Sequence, residues 1–145
     1  MSNLTAAPPA GKMLLPSCAL FGAALVLFGV LLSPPAEILR GLYTIITTED
    51  VLITDYIAIA GIGAAFVNAG LVTLVSVVLL KAVNDPVNGA TLVTVGLMAG
   101  FSLFGKNIVN IWPILTGTAL YALFKRETCA HHVNVALRAT ALLPH

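Results

Sequence analysis

From Tyr56 to Leu80 the chain runs for 25 residues without a charged side chain, and this run constrains the solvent in which the chain can fold. A helix of that length reaches about 37 Å at 1.5 Å per residue, more than the hydrocarbon core of a bilayer at about 30 Å. Uncharged runs also cover 14–32, 87–105 and 108–124. Charged residues make up 9% of the chain and hydrophobic residues 59%, whereas a soluble domain carries about 25% charged residues to keep its exterior hydrated. A mean hydropathy of +1.00 agrees. The expected environment is therefore lipid. With a net charge of +1, the chain lacks the dense basic surface that phosphate backbones require, so no nucleic-acid partner is expected.

These runs predict an all-α polytopic helical membrane protein. About four membrane-embedded segments are expected, at 14–32, 56–80, 87–105 and 108–124, after a flexible amino-terminal tail over 1–13. The 14–32 run reads as a first span and not as a cleaved leader, because Pro34 and Pro35 follow Ser33 and no small-residue cleavage site appears. Between the first two spans, about 35–47 reads as an interfacial amphipathic helix capped by Ser33, with Pro34 at its first position. Leu39, Leu42, Tyr43 and Ile46 fall on one face, opposite Glu37, Arg40, Thr44 and Thr47. Thr47-Thr48-Glu49-Asp50 reads as the amino-terminal signal of the long helix that follows. Over 133–143 a further apolar segment is too short to span.

Charge distribution predicts orientation. With four crossings and a cytoplasmic amino terminus, Lys12, Lys81, Lys125, Arg126 and Arg138 lie inside while Arg40 and Lys106 lie outside, which obeys the positive-inside rule. That reading places a multi-pass protein in the cell (inner) membrane. The run 108–124 has only 17 residues and is broken by Asn110, Pro113 and Gly117. Residues 87–124 are thus either two tilted spans or a hairpin that dips into the protein and turns back, which would put Lys106 at membrane depth without changing the side on which the ends emerge, so the charge count does not decide between them.

Polar residues inside these runs are the candidate functional groups, because an unpaired carboxamide in hydrocarbon costs several kcal/mol. Asn68 sits near the middle of the clearest span, and Lys106, Asn107 and Asn110 cluster at a turn between two glycine- and proline-broken segments. Interrupted helices of this kind build transport sites. In that reading Lys106 anchors an anionic or polar solute and the asparagines supply neutral hydrogen bonds; as an ordinary turn, the same lysine would sit among headgroups. Gly61 and Ala65, with Ala58 and Ala69, form a small-residue stripe. Gly96 and Gly100 form a GxxxG pair, and both features suit close helix packing. No metal site or cofactor is expected: Cys18 and Cys129 lack metal spacing, and His131-His132 follow a basic loop. All six acidic residues lie outside the uncharged runs, and no nucleophile and base share a location, so an enzyme is not expected.

The stretches RGLYTIITTEDVLITDYIAIAGIGAAFVNAGLV (40–72) and NGATLVTVGLMAGFSLFGKNIVNIWPILTGTALYALF (88–124), with the Gly-Lys-Asn turn and the following Asn-Ile-Trp-Pro as their most specific part, resemble an uncharacterised family of bacterial polytopic membrane proteins that carries a domain of unknown function. Members of that family are longer, so the resemblance implies that this chain corresponds to an amino-terminal half. A homo-oligomer or a missing second half would then complete it. Asn84-Asp85-Pro86-Val87-Asn88-Gly89 is similar, more loosely, to a turn of urea-transporter-type channels. Together these readings predict a transporter or channel component for a small polar or anionic solute. The alternative is a non-transporting membrane scaffold whose small-residue faces bind other helices. The lipid bilayer is a partner in both.

Overall fold

The computed structural model describes residues 10–49, 54–82, 87–113, 115–117 and 136–138. Among them every regular element is helical: α1 (Ala10–Leu32), α2 (Pro35–Thr47), α3 (Tyr56–Ala60), α4 (Ile62–Ala82) and α5 (Gly89–Phe101). Helical backbone also occurs at 112–113, 115–117 and 136–138. Two helices are long and apolar enough to cross a membrane, Met13–Leu32 with a mean hydropathy of 2.3 and Ile62–Ala82 with 2.2.

Glycine determines how these two helices pair. A methyl group at Gly29 would lie 2.5 Å from the Gly63 carbonyl oxygen, and one at Gly70 would lie 2.7 Å from the Gly22 carbonyl oxygen. The obstacle is backbone in both cases, so it cannot rotate away. Gly22 lies opposite Thr73 and Leu74, Val26 opposite Gly70, and Ser33 opposite Gly63. The helices therefore run antiparallel, and the start of α1 shares an end with Lys81. The expected packing stripe through Gly61 is corrected here: Gly61 has φ +86° and meets nothing within 4 Å among the described residues. It breaks the expected 56–80 span into α3 and α4. The packing faces of α4 are instead Gly63, Val67 and Gly70 toward α1, and Ala64 and Ala65 toward Ile45 and Tyr56. Phe28 and Phe66 add an edge-to-face contact with centroids 5.0 Å apart.

Most of α1 remains uncovered. Only 17% of its apolar window is buried, against 61% for α4, and Leu31 is 75% exposed. Leu20, Leu27 and Phe28 are also exposed, giving a continuous apolar surface along the helix.

Capping differs from the sequence reading. Pro34, not Ser33, is the N-cap residue of α2, with Pro35 as its first helical residue. Thr48 closes α2, donating its amide and its hydroxyl to the Thr44 carbonyl at 2.9 and 2.7 Å. The next helix starts at Tyr56, where Asp55 accepts from the Ile57 and Ala58 amides. The carboxylate at 55 wins because its side chain reaches the orphan amides of the first turn. Besides its apolar and polar faces, α2 has a third stripe: Ile38, Gly41 and Ile45 are buried, with Gly41 against Ala60 and Ala64. Leu39, Tyr43 and Ile46 stay exposed. Asn88 begins α5 with a capping box shared with Thr91.

Gly29→Leu or Gly70→Leu should destabilise the chain by more than about 3 kcal/mol, the upper end of ordinary overpacking, because the backbone cannot retreat. Thermal unfolding in detergent reads this, with Gly96→Leu as a control expected to change little. Equal melting temperatures for all three variants would refute the glycine contact.

Candidate functional site

α5 is too short to cross a bilayer. Its 13 residues reach about 20 Å, and after Phe101 the chain enters a loop, Ser102 to Ile111, that packs on α4 at Asn68. Asn68 lies six residues into α4, about 9 Å from its start. α5 approaches from the Lys81 end of α4, so its reach of about 20 Å along a helix of about 31 Å puts its end about 11 Å from the same boundary. The two estimates agree on the depth of the loop.

The backbone of this loop is satisfied from every side. The Asn68 side chain donates to the Ser102 and Lys106 carbonyls at 2.8 and 2.9 Å. The Tyr56 amide donates to Leu103 at 3.4 Å and the Thr54 amide to Phe104 at 3.3 Å. Asn110 Nδ2 donates to the Gly105 carbonyl at 2.8 Å. Five successive carbonyls, 102 to 106, thus have donors drawn from α4, from the start of α3 and from the loop itself. On the amide side, Lys106 donates to Phe101 at 3.1 Å and Asn107 to Asn110 Oδ1 at 2.9 Å. Asn107 Oδ1 accepts in return from Val109 and Asn110. Gly105 has φ +134°, a backbone conformation that other residues adopt only under strain.

The loop is also tied sideways. Asn107 Nδ2 donates to the Ile45 carbonyl at 3.3 Å and to the Tyr56 hydroxyl at 3.4 Å. Ile45 lies in the last turn of α2, whose carbonyls have no acceptor role inside the helix, and Tyr56 is only 1% exposed. One carboxamide therefore links the loop, the end of α2 and the start of α3.

The structure gathers the four candidate residues into one place. Asn68 is 2% exposed, Asn107 2% and Lys106 6%, and Asn110 is half-buried. Among the described residues every buried side-chain nitrogen and oxygen has a partner. Tyr56 was missed as a member of this group; it reads as an ordinary span residue, and its contacts with Leu103 and Asn107 mark it. Of the packing candidates, Ala65 is fully buried. Gly96 and Gly100 meet nothing within 4 Å among the described residues and lie on the outer face of α5 with exposed Leu92 and Val93.

Beyond the loop the chain points back. Ile111 and Leu115 belong to the cluster of Cys18, Val72, Val77, Leu80, Val95 and Met98, toward the Lys81 end, while Leu103 packs on the second cluster of Ile45, Tyr56, Ala64 and Ala65. The described part of 87–117 thus has the form of a descending helix, a buried loop and a returning turn. Residues 118–124 of the expected fourth span, Cys129, His131 and His132 lie outside the described residues, as does the Asn84-Asp85-Pro86 turn. No group of three or more potential metal ligands occurs among the described residues.

The family described as a protein of unknown function, DUF1576, matches residues 34–145. No curated protein and no solved structure matches the chain.

Asn68→Leu should cost about 2–6 kcal/mol, since two buried carbonyls lose their donor at about 1–3 kcal/mol each. Asn68→Asp should cost more, because an ionised carboxylate would face two carbonyl oxygens. Thermal unfolding of the solubilised chain measures both, and a leucine variant as stable as the parent would remove Asn68 from its bridging role.

Proposed function

The chain belongs to the DUF1576 family, whose function is unknown, and we propose from its geometry that it is a membrane-embedded component of a transporter or channel for a small polar or anionic solute. The observation that carries this reading is Lys106, 6% exposed in the loop that interrupts the bundle at Asn68. If α4 spans the bilayer, the loop lies about 10 Å inside the hydrocarbon boundary. Irregular backbone survives at that depth only when it is enclosed by protein or lines a wet path. An intramembrane lysine costs at least about 2.5–3.5 kcal/mol at the centre of a helix and marks substrate or ion routes. Discontinuous helices such as α3/α4 and α5 are the setting in which transporters place their solute sites.

In this reading Lys106 holds the charge or dipole of the solute, and Asn107 and Asn110 keep its loop in shape. The exposed apolar surface of α1 faces lipid, and the exposed stripe Leu39, Tyr43 and Ile46 of α2 rests in the interface. The shared end of α1 and Lys81 is cytoplasmic, which accords with the distribution of Lys and Arg. The protein is then a multi-pass component of the inner membrane.

A second reading, a scaffold subunit, is favoured by Gly96 and Gly100. These form a GxxxG face that meets no neighbour among the described residues and suits close approach by another helix, from a second copy or from another membrane protein.

Proteoliposome uptake of a panel of small anions and neutral polar solutes separates the readings. Transport predicts flux of at least one solute, reduced at least tenfold by Lys106→Ala and less by Lys106→Arg, with Asn107→Ala also impaired. Flux indifferent to both alanine variants would take this loop off the pathway. No flux for any solute, together with specific crosslinking through Gly96→Cys, would establish the scaffold.

A further inference from the structure

Arg138 is counted by the sequence among the cytoplasmic cations, yet the structure seats it against α5. Ala136 and Leu137, its neighbours, are buried in the cluster with Cys18, Val72, Val95 and Met98, so this stretch is docked on the bundle. Arg138 Nε donates to Thr94 Oγ1 at 2.7 Å. The Thr94 hydroxyl sends its own proton to the Ala90 carbonyl at 2.9 Å and therefore offers Arg138 a lone pair. Thr94 is fully buried, and its Cβ branching limits its rotamers, so the guanidinium is held by a fixed point.

A guanidinium carries five donors in one plane. With Nε occupied, the edge formed by Nη1 and Nη2 remains, and it makes no hydrogen bond to the described residues. The described carboxylates are Glu37, Glu49 and Asp55. They sit on α2, just beyond it, and at the start of α3, near the Ile62 end of the bundle. Thr94 lies five residues into α5, about 8 Å from the Lys81 end. The charge is thus half-buried beside an apolar cluster and far from any described carboxylate, with its two-toothed edge unbonded among the described residues. Two parallel N–H donors match two oxygens of one carboxylate or phosphate-type group and do not match a single spherical ion.

We propose that Arg138, oriented by Thr94, is a binding site for an oxyanion in the half of the bundle nearer Lys81. Its place on a solute path rests on the transport reading above, in which it is a second cationic station about 12 Å along α5 from the Lys106 loop. The same chemistry could be met by a free anion or by a lipid phosphate.

Binding of sulfate, acetate and chloride to the purified full chain in zwitterionic nanodiscs tests this by calorimetry. The oxyanions should bind at least tenfold more tightly than chloride. Arg138→Gln should weaken them at least tenfold, Arg138→Lys should restore only part of that loss, and Thr94→Val should weaken them severalfold while the chain still unfolds cooperatively. If Arg138→Gln fails to fold, Arg138→Lys and Thr94→Val carry the test. Chloride binding as tightly as sulfate, or sulfate binding unaffected by these variants, would overturn the proposal. In nanodiscs containing anionic lipid, loss of free-anion binding together with anionic lipid retained by the parent and not by Arg138→Gln identifies a headgroup as the occupant. Oxyanion binding without flux of any solute sinks the transport reading and leaves this site standing. Flux that requires Lys106, with anion binding insensitive to Arg138, does the reverse.

Discussion

A peptide group that enters hydrocarbon must bring its hydrogen-bond partner with it, because no water is there to replace one. The arrangement around the 102–111 loop meets that requirement. α5 stops after 13 residues, which leaves its last carbonyls and those of the loop without intrahelical partners. Donors for the five carbonyls from Ser102 to Lys106 come from Asn68, the amides of Thr54 and Tyr56, and Asn110. Several elements must therefore be in place before the loop can be buried. The Gly61 break, which ends α3 and starts α4, belongs to the same arrangement, since the backbone at Thr54, just before α3, and at Tyr56, its first residue, supplies two of the donors.

The glycine contact between α1 and α4 lets this happen without enlarging the bundle. Gly29 against Gly63 and Gly70 against Gly22 bring two backbones together on one side of α4, leaving the face with Asn68 for α5 and its loop. α1 consequently contributes little enclosed core and a large apolar exterior. In water such a surface would drive aggregation; in lipid it costs nothing. The division of labour between an outward α1 and an inward α4 is the one that the proposed bilayer environment requires.

How much of this could be read from the sequence depended on whether the physics was local. The cost of a carboxamide or an ammonium in an apolar run is a property of the residue and its neighbours in the chain, so Asn68, Lys106, Asn107 and Asn110 were legible. That they meet was not, since it depends on α5 ending early and on the loop folding onto α4. Glycine failed as a signal for a related reason. A small residue permits close approach or a positive φ, and the sequence does not say which; Gly61 took the turn, while Gly63 and Gly70 took the contact. α2 was legible as an amphipathic helix, but its buried stripe of Ile38, Gly41 and Ile45 was hidden behind the larger apolar residues that remain exposed. Tyr56 and Arg138 were missed because each gains its meaning from hydrogen-bond partners distant in the chain.

Asn107 bears on how the loop could act. It holds the final turn of α2 through the Ile45 carbonyl, the start of α3 through the Tyr56 hydroxyl, and its own loop through the reciprocal bonds with Asn110. The contacts to Ile45 and Tyr56, at 3.3 and 3.4 Å, are longer than those within the loop, and long hydrogen bonds are the cheaper ones to break. Displacement of the loop would thus begin at its junction with α2 and α3, while the short Asn68 bridge kept the loop docked on α4. A movement of α2 would be transmitted to Lys106 through the neighbouring residue. That coupling separates a solute gate from an inert scaffold in physical terms: a scaffold needs the loop satisfied, and a gate needs it satisfied with one junction weaker than the rest.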